Sequence, residues 1–218
     1  MKALFALLCL ALPLSGQEAS VDLRVIVFPR VQDDRKLSLV VGKKLVEIEV
    51  AANRLTGPYK VERQANWTFG HPGVDEAGKP AFKTLGSTAA LDAPAQILIL
   101  FRKGRTNDDG FKVVAYPGGP LEFGGRQFLL LNLTGDRVGG DIGQVKFALK
   151  PAGHTVISPK SDAGENLCHA TILLNRNERW IPFVATNWPL RDDARGLVFI
   201  YQDPASGKIQ LHAIRDFL

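Results

Sequence analysis

The sequence predicts an all-β protein: a single antiparallel β-sandwich, immunoglobulin-like or jelly-roll, with one long irregular segment. Three observations predict it. Apolar and polar side chains alternate at period two in one stretch after another, as in strands with one face in a core and one in water. Gly, Pro, Asn and Asp fall between those stretches and supply the turns. No segment after residue 19 carries a sustained helical pattern, beyond a turn-like stretch near 87–92.

From the N-terminus, residues 1–19 read as a signal peptide. Lys2 precedes the apolar run from Ala3 to Leu12, and Pro13, Ser15 and Gly16 end that run with small residues. The run is shorter than the roughly 20 apolar residues of a membrane span. Cleavage is expected after Gly16 or after Ala19, and Cys9 has too little apolar sequence before it to be a lipidation site. The competing reading, a buried N-terminal helix, is opposed by the polar residues and the strand that follow at once. The expected destination is the periplasm or the cell exterior, with no membrane span after Gly16.

The strand series opens at 23–28. At 44–50 the alternation puts Val46, Ile48 and Val50 on one face, and at 144–150 it does the same for Val145, Phe147 and Leu149. The runs 97–101, 128–131 and 197–201 are apolar on both faces. Further strands are expected at 111–116, 155–158, 170–174, 180–185 and 208–214, on the order of ten in all. Asn107-Asp108-Asp109-Gly110 and Asp203-Pro204-Ala205-Ser206-Gly207 carry hairpin chemistry, with Gly207 in the left-handed position of its turn.

Between 65 and 95 the periodicity fails, and Gly70, Pro72, Gly73, Gly78, Pro80, Gly86 and Pro94 accumulate. The strands before this segment are too few to close a core, so residues 20–218 read as one β-sandwich domain with 65–95 as an irregular covering segment. It has something to cover. A two-layer sandwich buries one face of each sheet. Large apolar side chains left on the other face forfeit about 1.5–3 kcal/mol each. Trp67, Phe69, Val74, Phe82, Leu85 and Leu91 are the expected packing residues of the cover; otherwise the apolar face joins a partner or a second copy.

Charge and chemistry narrow the function. The 27 basic and 22 acidic residues give a formal charge of +5, with the basic residues scattered rather than gathered in a stripe. With a secretory leader, this excludes nucleic acid as the expected partner. Loss of the leader leaves Cys168 as the one cysteine, so no internal disulfide forms. The four histidines, His71, His154, His169 and His212, lack metal-ligand spacing, and neighbours Cys168 and His169 would point to opposite faces of a strand. The pairs Asp33-Asp34, Asp108-Asp109 and Asp192-Asp193 sit where turns favour aspartate. No nucleophile elbow, phosphate-binding glycine loop or calcium loop occurs, so no catalytic residue, cofactor site or metal site is assigned. A dispersed triad is recognised by geometry alone. Trp67, Phe69, His71 and Trp188 remain as the candidate residues for binding a ligand or partner, because exposed aromatics stack on sugars and anchor interfaces. Asn66-Trp67-Thr68 and Asn132-Leu133-Thr134 fit the glycosylation pattern.

The run Phe128 to Thr134, with Lys150-Pro151-Ala152-Gly153 beyond it, is similar to an arrangement in secreted immunoglobulin-like sandwiches, in which an Asn-x-Ser/Thr step ends one strand and a Pro-x-Gly turn follows the next. The C-terminal Phe199 to Pro204 with Asp216-Phe217-Leu218 resembles uncharacterised secreted bacterial proteins of that class. The resemblance covers the C-terminal half and implies a sandwich, but no activity and no functional residues. The expected function is a non-catalytic interaction module of the bacterial cell envelope, with an envelope protein or a glycan as partner. A carbohydrate-binding module and an enzyme with an unrecognised site are the alternatives.

Overall fold

The computed structural model describes residues 20–29, 36–51, 53–103, 109–161, 166–203 and 206–218. The signal-peptide reading, Asp33-Asp34 and Asn107-Asp108 lie outside them. The first eight strands are β1 (Ser20–Phe28), β2 (Leu37–Val41), β3 (Lys44–Ile48), β4 (Thr56–Glu62), β5 (Asn66–Val74), β6 (Pro80–Ala89), β7 (Ala95–Arg102) and β8 (Phe111–Pro117). The next eight are β9 (Phe128–Leu133), β10 (Arg137–Ile142), β11 (Val145–Leu149), β12 (His154–Ile157), β13 (Leu167–Arg176), β14 (Arg179–Pro189), β15 (Ala194–Gln202) and β16 (Ile209–Phe217). Among the described residues there is no α-helix, and so none long and apolar enough to cross a membrane.

The all-β, sandwich-type fold expected from the alternation is present, but it has four layers. Its sheets run β4-β1-β7-β8, β3-β2-β5-β6, β12-β9-β15-β16 and β11-β10-β13-β14. The order of the last two repeats that of the first two, strand for strand, eight strands later. Most pairs are antiparallel, but β1 with β7 and β9 with β15 are parallel. Each parallel pair brackets a long excursion through the facing sheet, the kind of crossover that parallel neighbours need.

The repeat holds at the level of single residues. Val41-Gly42 and Ile142-Gly143 open equivalent hairpin turns, with Gly42 and Gly143 at φ +57° and +53°. Counting back from those turns matches Leu39 with Gly140, whose cross-strand partners are Phe69 and Ile172. Phe69 and Ile172 then pair with Gly86 and Val184, and in both ladders a bulge follows at once. Leu85 and Phe183 occupy the same position in the two bulges.

Three apolar layers result. Val25, Leu39, Trp67, Phe69, Leu98 and Phe111 belong to the core of the first half, between its two sheets. Leu130, Ile172, Trp188, Val198 and Ile200 do the same in the second half. The third layer lies between the halves: Ile26, Phe28, Ile97, Ile99 and Phe101 from one side meet Leu129, Leu131, Leu197, Phe199 and Ile214 from the other. Phe28 stacks on Phe199 at 4.6 Å between ring centroids.

This third layer explains the doubly apolar strands, and it corrects the covering role expected of 65–95. Those strands are covered by the equivalent sheet of the other half, within the same chain. The segment 65–95 is itself β5, β6 and the turn before β7, with Trp67, Phe69 and Leu85 in the first core and Val74 exposed. Its period-two signal is hidden because the bulge at Phe69/Gly70 breaks the register and the tip of the hairpin stands in water.

A buried ion group ties the halves together. Asp216 accepts from Arg195 Nε at 2.8 Å and from Arg24 of the first half. Arg195, 3% exposed, also donates to the carbonyls of Gly118 and Phe123 in the connection between halves, and its guanidinium lies over the Phe123 ring at 4.6 Å. Burial pushes the Arg195 guanidinium below its usual range, and Asp216 opposes that shift.

Candidate functional site

The two halves differ along one edge. In the first half β6 and β8 close against each other. Gly86 leaves the room for this: a Cβ there would stand 2.7 Å from the Phe111 carbonyl oxygen and 2.9 Å from Val113 Cγ2. Leu85, Phe111 and Val113 are accordingly buried. In the second half, Val184 stands where Gly86 stands, and β14 and β16 make no comparable approach. Counting from the central-layer residues Tyr116 and Ile214, Phe111 and Val113 correspond to Ile209 and Leu211. Phe183, Val184, Ile209 and Leu211 pack on the second core but remain only half-buried. The closing position is thus a glycine in the half that shuts and a β-branched valine in the half that does not.

The opening is a seam with a cleft at each end. At one end Ile181, Pro182 and Phe183 of β14 face Gly207, Lys208 and Ile209 across about 380 Å³, with Leu174 and Arg176 beside them. At the other end Trp188 and Pro189 face Ala213, Ile214 and Arg215 across about 150 Å³, floored by Phe128. The seam is therefore apolar along its middle and basic at both ends.

The basic ends are unequally neutralised. Arg191 grips Asp193 through two bonds of 2.8 and 2.7 Å, and that hydrogen bonding holds the Asp193 carboxyl below its usual range. Arg126 reaches Asp192 at 3.3 Å. Arg176 is bound to Asp136 at 3.1 Å. Among the described residues, the side chains of Arg215 and Lys208 have no hydrogen bond or ion pair, although Arg215 feels the Asp193 charge. The Asp192-Asp193 pair expected to serve a turn does so between β14 and β15, and it also sets the charge at this end of the seam.

Of the four binding candidates read from the sequence, Trp188 alone reaches this site. It is 9% exposed and packs on Phe128 at 5.0 Å. Trp67 and Phe69 are fully buried in the first core, where the Trp67 indole donates to Gln96 Oε1 at 2.9 Å, so neither presents a face to a ligand. His71 is half-buried on β5, and its Nε2 has no hydrogen-bond partner among the described residues. The histidines do not gather: His154 meets Tyr116 edge-on, His169 bonds Asn187, and His212 stacks on Phe28. None of them lines either cleft. Among the described residues no group of three His, Cys, Asp or Glu side chains is placed to hold a metal ion. Burial pushes the Tyr116 hydroxyl up to about 12 and lowers His212.

Asn132 is fully buried. It binds the carbonyls of Asp136 and Lys150 and accepts from Thr134, which makes its Asn-x-Thr step structural. Sequence reasoning missed Lys208, Arg215, Phe183 and Ile209, because the seam is visible only when the halves are laid on each other. The signal was the matching hairpin pattern at 41–48 and 142–149. No protein-family model matches the sequence, and comparison with curated proteins finds no match.

Proposed function

We propose that this chain is a non-catalytic interaction module, exported to the cell envelope or exterior, and that the seam between β14 and β16 is its binding surface. The observation that carries this reading is the asymmetry of the halves. The same fold shuts the equivalent edge of the first half, so the opening in the second is a property of particular residues rather than of the architecture. Half-buried apolar side chains flanked by arginine and lysine suit a binding partner.

The test is site-specific photo-crosslinking in cells. A crosslinking residue at Ala213, in the seam, is expected to capture a discrete envelope component that the same residue at Lys60 of β4 does not. Equal capture from both positions overturns the reading. Export is tested separately by N-terminal sequencing of the mature protein, which should begin at Gln17 or Ser20; an intact Met1 in the cytoplasm defeats it.

Glycan binding has one observation in its favour. Trp180, 44% exposed, lies against Gly139 at the tip of the β13–β14 hairpin, where a Cβ on Gly139 would be 3.0 Å from the indole. Such a ring can stack on a sugar face. Glycan-array binding that Trp180→Ala abolishes is the expected result, and an unchanged array removes this reading.

A further inference from the structure

We propose that the β14/β16 seam accepts an extended polypeptide segment of a partner, laid along β16 as an added strand, with apolar side chains directed into the second core and carboxylates at both ends. This rests on the seam being the binding surface and names what fills it.

The backbone points to β16 as the template. As the last strand of its sheet it is paired only with β15, so alternate amides and carbonyls point outward. Among the described residues, none of those outward groups from Ile209 to Arg215 has a protein partner. The strand contains no proline. The opposite wall, β14, has Pro182 and Pro189, which lack the N–H that a ladder needs. A guest therefore finds donors on β16 and mainly side-chain contact on β14.

The side chains define the guest. Phe183, Ile209 and Leu211 are half-buried where their first-half counterparts Leu85, Phe111 and Val113 are buried, so apolar residues at alternate positions would complete the second core. Lys208, just before β16, and Arg215, within it, are the cations of the seam that have no side-chain partner among the described residues, and they stand seven residues apart. At about 3.3 Å per residue their separation is roughly 23 Å, which sets a guest of about eight residues with an acid at each end. A polyanionic glycan would match the ends but would leave the apolar middle and the ladder groups unused.

The test is a panel of fluorescent eight-residue peptides alternating Val, Ile or Leu with Thr and carrying Glu at both ends, titrated into the full-length protein. Saturable binding is expected, with amide hydrogen exchange slowed across 209–215. The double variant Lys208→Glu, Arg215→Glu should raise the Kd at least about tenfold, and peptides with Lys at both ends should restore binding. N-methylation of alternate peptide amides should abolish it. Circular dichroism checks that the double variant, which changes two exposed residues, is folded.

Absence of binding across the panel overturns the proposal, as does binding that leaves 209–215 unprotected or tolerates N-methylation. Oligogalacturonate serves as the second probe. If it protects the seam and responds to the charge reversal while the peptides fail, the strand proposal falls and the binding surface stands. If neither probe protects the seam, both fall.

Discussion

At the scale of single residues, the strongest commitments are ionisable groups out of water. Asp216 is 6% exposed and holds Arg195, Arg24 and, through Arg195, the connection between the halves. Asp216→Asn keeps the shape but leaves Arg195 buried without a counter-charge, so a loss of about 3–5 kcal/mol is expected in urea unfolding. Tyr116, raised to about 12, stays protonated in the folded state where an unfolded tyrosine titrates near 10.0. Its contribution is complete below the unfolded pKa and is lost as pH rises toward the folded one. Absorbance titration should show one of the three tyrosines ionising last, and Tyr116→Phe should remove that step. His212 has the opposite consequence. Burial lowers it from 6.5, so the unfolded chain takes the proton first as pH falls. Stability present above the unfolded pKa is lost as pH falls below it, and His212→Phe should flatten the fall measured as pH drops through 6.5.

At the scale of elements, Gly86 gives β6 and β8 the room to close, and Val184 occupies the equivalent place in the half that stays open. Gly86→Val would press a side chain into the Phe111 backbone, and overpacking of this kind costs about 1–3 kcal/mol. Faster amide exchange at 111–113 is expected as β8 is pushed away, and unchanged exchange would show that Gly86 does not hold that seam shut. In the unaltered protein, 209–211 should exchange faster than 111–113.

Strands with clean alternation, such as β3 and β11, were legible in the sequence, as were the doubly apolar strands β7, β9 and β15. The Gly207 turn was legible too, and is found at φ +67°. The β5–β6 hairpin was not, because a bulge shifts its alternation and its tip carries Gly and Pro in water. In the site, Trp188 was legible as an aromatic at a strand end. Lys208 and Arg215 were not, since a lone cation on an exposed edge has no pattern until its missing partner is known.

At the scale of the whole molecule, the central layer makes each half the other's cover. A fragment of residues 20–127 would expose Ile26, Phe28, Ile97, Ile99 and Phe101 on one sheet face. Apolar patches of that kind drive association. Sedimentation of this fragment should show dimers or larger species, whereas a well-behaved monomer would mean that the layer is not needed to shield the sheet.

Joining two equivalent sandwiches in one polypeptide also frees them from obeying the same rules. A pair of identical chains meeting through the same sheets would carry every substitution twice. A valine that loosens one edge would loosen both, and the cost to stability would be doubled for a single gain. With both copies encoded in tandem, position 86 can remain glycine while position 184 becomes valine. One half can then specialise as the rigid support while its counterpart departs from the ideal, a division of labour closed to a symmetric dimer.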